Sequence, residues 1–221
     1  MRVTPAGASA VLVLLPPSRT QAAPTSGRPV SLGRLAYPLL RAPRERLIEL
    51  VDPGLASAPA RPAAELYTGV LYKELGLVEL PWRGVLIASA LWGVLRPGDR
   101  IPAYRLDIAA KLPGLGGLAA YWRGPLLAAL PDRGLVLDLR SGAYAAAWRP
   151  QRANLLAVRA FREAPDGSRT VVTHMAKQTR GHIARLVLQA GSLKTPEQVA
   201  ELASAAGLRV ELRPGTLDVI H

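Results

Sequence analysis

Residues 10–21 read AVLVLLPPSRTQ: six apolar residues, two prolines, then a polar run. How this stretch is read decides the fold. With one arginine upstream and Ala22-Ala23 downstream, it has the faint outline of a secretory leader. The apolar run is short, however, and Pro16-Pro17 breaks it at once, which fits a buried first strand, Ala10–Leu15, running into a loop. No segment approaches the ~18 apolar residues of a membrane span. A cytoplasmic protein without membrane contact is expected.

Downstream, residues 16–36 are rich in Pro, Gly, Ser and Thr and read as a long loop, a kind of segment that is usually functional or disordered. Pro43–Val51 reads as a helix, with Pro43 in its first turn and Glu45 and Glu49 following. Residues 52–62 read as a linker, and AELYTGVLYKELGL (64–77) as a helix with Leu66, Val70 and Leu77 on one face. Val85–Leu91 is apolar enough for a central strand, and residues 106–130 read as two helical segments around a glycine turn. Residues 154–177 predict a β-hairpin turning at Pro165-Asp166-Gly167, and a helix then ends at Gly191. Thr195, Pro196, Gln198 and Gly207 bracket another helix with a full set of caps, before a closing strand pair. Strands and helices mix without a strict βαβ rhythm, so the fold class is mixed α/β (α+β), in one domain over 1–221.

The chain of 221 residues is 49% hydrophobic but only 5% aromatic, so a core of Leu, Val, Ile and Ala is expected. It has no cysteine, which excludes disulfides, thiolate metal sites and cysteine nucleophiles. Net charge is +12 and the pI near 11, which suits nucleic acid, phosphorylated ligands or an anionic surface. Only four of the 28 basic residues are lysine, and an Arg-, Ala- and Pro-heavy composition also reflects a GC-rich genome. Position is the better guide. Residues 83–185 carry 16 basic and 6 acidic side chains, ten of the twelve excess charges, and compositional bias alone would spread them evenly.

Two constellations stand out. LPGLGGLAAYW (112–122) resembles a helix-hairpin-helix, in which Gly114 and Gly116 would let backbone N–H groups approach a phosphate and Lys111 would add charge. An ordinary turn between helices gives the same string. In VVTHMAKQTRGHIARL (171–186), His174 stands where a strand ends, and Lys177 and Arg180 share a helix face behind it. That is a candidate anion or acid–base site, although a lone histidine at a strand end is more often structural. The histidines show no metal-ligand spacing. No nucleophile elbow and no phosphate-binding Gly-Lys-Ser/Thr loop occurs, and Asp99, Asp107 and Asp138 each stand near an arginine (100, 105, 140), where ion pairing explains them.

LVLLPPSRTQ (12–21), LYTGVLYKELGL (66–77) and residues 91–126 together resemble the YaaA family of bacterial peroxide-stress proteins, as do 136–148, 171–188 and 208–221, in the same order. The resemblance implies a YaaA-like α/β domain with a positively charged cleft and a helix-hairpin-helix-like element. It also implies binding to duplex or branched DNA with weak sequence preference, in limiting iron-driven damage under hydrogen peroxide. On the matching segments Ser18, Thr68, Arg96 and Arg100 fall on the family's polar positions, as do Tyr104, Arg105, Lys177 and Arg180. Arg19 and Gln21 stand in a loop where the family often carries a charged residue and a lysine, so the lysine is lost. Residues 22–62 look shortened.

Two further expectations follow. Arg100 and Arg105 should face Lys177 and Arg180 across one pocket, with RPGDRIPAYRLD (96–107) as one wall. No cofactor is expected on the DNA-binding reading. The alternative is a divergent family enzyme acting on a purine or nucleotide, with haem or iron held by His174. A plainer third reading is an RNA- or ribosome-associated protein.

Overall fold

The structure is a computed structural model that describes residues 11–171 and 173–221, the side chains of Thr173 and His174 excepted. β1 (Leu12–Leu15) ends against Pro16-Pro17 as the sequence requires, and residue 10 lies outside the described residues. An irregular passage with short 3-10 turns leads to α1 (Arg41–Val51), β2 (Arg61–Pro62), α2 (Ala63–Leu66) and α3 (Val70–Leu75). β3 (Val85–Ser89), β4 (Gly93–Leu95) and β5 (Arg100–Ile101) follow, then the small strands β6 (Lys111–Leu112) and β7 (Gly116–Gly117) before α4 (Leu118–Ala129). Next come β8 (Leu135–Asp138), α5 (Gly142–Ala145), β9 (Asn154–Glu163) and β10 (Arg169–Val171). α6 (Thr173–Ala190), α7 (Pro196–Ala205), β11 (Arg209–Arg213) and β12 (Thr216–Ile220) close the order.

One sheet of eight strands organises these elements, in the order β11-β12-β9-β8-β1-β3-β4, with β10 also on β9. The inner pairings β12·β9, β9·β8, β8·β1 and β1·β3 are parallel, and β4, β10 and β11 join antiparallel. The result is a mixed α/β fold with a mostly parallel sheet. Buried parallel strands read as continuous apolar runs, and β1 (LVLL), β3 (VLIAS) and β8 (LVLD) do so.

The core is mostly Leu, Val, Ile and Ala, as expected, with buried Trp and Tyr side chains among them. Its largest fully buried side chains include Trp92, Trp122 and Trp148, so the few aromatics are concentrated inside. Trp122 packs over Gly93, where any β-carbon would collide with the indole, and its Nε1 donates to the Ala90 carbonyl at 2.7 Å. Arg44 is also buried, donating to the carbonyls of Trp92, Ala36 and Val94 at 2.8–3.0 Å. Burial lowers its guanidinium to about 10, still charged at neutral pH.

Two helical expectations need correction. Residues 64–77 do not form one helix: the chain breaks at Tyr67–Gly69, because Ser18 Oγ accepts from the Gly69 N–H and ties the backbone down there. Residues 108–117 form a turn and the β6–β7 hairpin rather than a helix, so no helix precedes the glycines and the helix-hairpin-helix lacks its first half. Gly114 (φ +72) and Gly116 (φ +74) take the left-handed conformation that a tight strand turn needs. β10 ends at Val171 and α6 begins at Thr173, so His174 stands just past a strand end, in the first turn of the helix, as expected; its side chain lies outside the described residues.

Candidate functional site

The parallel strands run β12-β9-β8-β1-β3 across the sheet, so the chain leaves β1 toward β3 and leaves β8 toward β9, in opposite directions. Such a switch point leaves a crevice outside the carboxyl ends of the two strands. Here it is a cleft of about 830 Å³. Residues 16–21 after β1, 141–144 after β8, 69–72 at the start of α3, 104–108, and Lys177 and Arg180 of α6 contribute to its lining.

Hydrogen bonds, most of them between segments distant in sequence, shape the walls. Ser18 Oγ accepts from the N–H groups of Gly69 (3.0 Å) and Thr20 (3.1 Å), and a β-carbon at residue 69 would collide with that oxygen. Thr68 N–H donates to the Thr20 carbonyl at 3.1 Å, so Thr68 ties the wall together while its residue stays out of the lining. Gln21 Oε1 accepts from Tyr104 N–H (2.9 Å), and its Nε2 donates to the Ser18 carbonyl (3.3 Å). Arg105 Nη1 donates to the Arg19 carbonyl, and Arg19 Nη2 to Asp107 Oδ2, both at 2.7 Å.

Below the rim, the Tyr104 hydroxyl meets the hydroxyls of Tyr67 (2.9 Å) and Ser89 (2.7 Å), and Tyr72 donates to the Pro16 carbonyl (2.7 Å). Burial raises the phenols of Tyr67, Tyr72, Tyr104 and Tyr144 above their ordinary range, so they stay protonated at neutral pH. Asp107 is shifted the other way, by the Ala109 N–H first and then Arg19, and is an ionised carboxylate. Among the described lining residues, the chemistry is therefore that of neutral hydroxyls, one engaged carboxylate and four cations.

The cations differ in depth. Arg19, Arg105 and Lys177 are exposed, whereas Arg180 is partly buried and donates its Nε to the Val158 carbonyl of β9 at 3.1 Å. Desolvation lowers its guanidinium, and nearby Asp138 only partly offsets this. Asp138 is itself held by Arg140, through Nε and Nη2 at 2.8 Å.

The cleft thus brings together Ser18, Arg19, Tyr104, Arg105, Lys177 and Arg180. It leaves out Arg100, which donates to the Ala60 carbonyl at 2.7 Å, and Arg96, which stacks 5.6 Å from the Tyr37 ring centre. The expected four-cation pocket is corrected accordingly: Arg19 takes the place assigned to Arg100. Lys111, Gly114 and Gly116 lie on the β6–β7 hairpin and outside the cleft lining.

The aspartates divide as well. Asp138 pairs with Arg140 as expected, but Asp107 pairs with Arg19 instead of Arg105, and Asp99 accepts from the N–H groups of Ala36 and Arg96 instead of pairing with Arg100. Sequence reasoning missed Ser141, Tyr144 and Asp107 as lining residues. The available signal was the strand-to-turn passage LDLRSG (137–142), which ends a parallel strand where such folds collect ligands.

The family profile described as peroxide stress protein YaaA matches residues 31–212. A UPF0246 protein of Streptomyces coelicolor is 40% identical, over 95% of this chain and 98% of its own. UPF0246 proteins of Corynebacterium glutamicum and Corynebacterium efficiens are 35% and 34% identical, covering 92% and 95% of this chain and 96% and 98% of theirs.

Proposed function

Because the chain belongs to the YaaA family of peroxide stress proteins, we propose that it serves the peroxide response by holding DNA through phosphate contacts at the switch-point cleft. One observation carries this reading: Arg19, Arg105 and the pair Lys177 and Arg180 come from three separate segments and converge on one cleft. Like charges gathered in this way repel one another, and an anion relieves the repulsion. Contacts to phosphates position a nucleic acid without reading its bases, so sequence preference is weak. DNA held there is where limiting iron-driven damage would matter.

Duplex and branched DNA binding, followed by anisotropy over a range of salt, tests the reading. The binding constant should fall steeply with salt as counterions are released, with a slope of about one per phosphate contact. Arg105→Glu combined with Lys177→Glu should weaken binding and flatten that slope. Binding indifferent to ionic strength, or unchanged in the double variant, sinks it.

A second reading is a family member acting on a purine or nucleotide. The cleft's volume favours it, since about 830 Å³ falls within the range of small-molecule sites. His174, through which a haem- or iron-dependent form would act, has its side chain outside the described residues. Competition for DNA binding by a mononucleotide separates the two readings.

A further inference from the structure

We propose that the cleft recognises a terminal phosphate, a phosphomonoester, with Arg180 as its anchor and Lys177 beside it. This rests on the reading that the cleft binds a phosphate-bearing ligand, and it names the chemical form of that ligand.

The cations of the cleft are graded by depth. Arg19, at the mouth, has a side chain 89% exposed and is already matched to Asp107. Arg105 is exposed and anchored to the Arg19 carbonyl. Arg180 lies deepest, with its Nε on the edge of the Val158 peptide in β9. Asp138 is near, but both of its oxygens are engaged by Arg140, and no ion pair to Arg180 forms among the described residues. A guanidinium partly withdrawn from water, with the Val158 carbonyl as its protein partner among the described residues, keeps donor capacity for a ligand. Its two terminal nitrogens offer the fork that two phosphate oxygens match. Lys177, one turn away on α6, adds a second charge.

The shape of the site selects the ligand's form. The buried residues Tyr104 and Ile108 line the floor, and Arg180 backs onto the sheet through its bond to Val158. An internal phosphodiester carries chain on both sides, so reaching Arg180 would require a strand to fold in and back out through the mouth. A terminal phosphate arrives from the mouth alone. It also brings a charge of about −1.5 to −2 and three acceptor oxygens, against the single charge of a diester. The exposed cations at the mouth then meet whatever follows the phosphate.

The test compares a short DNA single strand bearing a 5′-phosphate with the same strand bearing a 5′-hydroxyl, and adenosine 5′-monophosphate with adenosine. The phosphorylated partner of each binding pair should bind about tenfold or more tightly, the gain of a charge-assisted bidentate contact. Arg180→Ala should collapse that ratio toward one while leaving salt-dependent binding by Arg19 and Arg105. Arg180→Lys keeps the charge without the fork and should retain only part of the ratio. If Arg180→Ala fails to fold, the wild-type comparison and Arg180→Lys still decide. Competition by the monophosphate against the phosphorylated strand identifies a free mononucleotide as a ligand, and its failure identifies a strand end; both support a terminal phosphate. Monophosphate preferred over adenosine without any DNA binding upholds this inference and removes the DNA reading. Equal binding of phosphorylated and hydroxyl ends, with DNA still bound, overturns the inference and leaves that reading standing.

Discussion

The carboxamide of Gln21 works with both ends, accepting from Tyr104 N–H on one wall of the cleft and donating to the Ser18 carbonyl on the other. Gln21→Ala leaves the half-buried Tyr104 N–H unpaired and should cost about 1–3 kcal/mol of stability. Gln21→Lys should not restore it, because an ammonium group cannot accept a hydrogen bond, whereas Gln21→Glu keeps an acceptor. Urea midpoints of the three variants check the order, and equal midpoints for Lys and Gln would refute the role. In the sequence Gln21 is legible only as a lost cation. Its use as a two-ended tie depends on Tyr104, 83 positions away.

At the scale of elements, α6 carries Lys177 and Arg180 into the cleft and packs on α3, which begins at the cleft wall. Gly181 makes that packing close: a β-carbon there would lie 2.5 Å from the Leu71 carbonyl oxygen and 2.8 Å from Glu74 Cβ. Ala favours helix over Gly by about 1 kcal/mol, yet the nearest atom is a backbone oxygen, which cannot swing aside. Gly181→Ala should therefore lose stability by about 1–3 kcal/mol net, as overpacking does. It should also weaken ligand binding by displacing both cations. Thermal melting and the DNA titration together measure this, and a raised melting temperature would mean that the helices have room to spare. The helix itself was legible from the shared face of Lys177 and Arg180 and from Gly191 (φ +78) at its end. Its partner was not, because GVLYKELG (69–76) reads as the continuation of one helix until Ser18 fixes the break.

At the scale of the whole molecule, the strands β9 to β12 are joined by a chain of charges. Arg169 pairs with Glu163 and Glu211, Arg213 pairs with Glu211 and Asp218, and Arg159 pairs with Asp218. Arg169 and then Arg213 pull Glu211 down to about 2, and Arg209 with Arg169 lowers Glu163. A depressed carboxylate contributes stability above its unfolded pKa, about 4.3, and loses it as pH falls through the folded value. The stability advantage of wild type over Glu211→Gln should therefore be full at neutral pH and vanish between about pH 4.3 and 2. Salt should shrink it too, since these groups face solvent. Denaturant titrations of both proteins across that pH range provide the measurement, and a difference that grows on acidification would refute the pairing.

What the sequence by itself determined is local. The β9–β10 turn forms at Pro165-Asp166-Gly167 because Asp166 Oδ1 can accept from Ser168 N–H, two residues on. α7 starts at Thr195 because its hydroxyl accepts from Gln198 N–H, three residues on. β1 is buried because four consecutive apolar residues precede two prolines. The tertiary structure alone decided which cations share the cleft, and whether the Gly114–Gly116 turn lies between helices or strands. Arg19, Arg105 and Arg180 stand more than 70 positions apart, and only the strand order, with β1 beside β8 and their connections diverging, brings them to one crevice. A turn or a cap is set by bonds that span two to four residues, whereas a strand order is set by burying whole apolar faces against partners far along the chain.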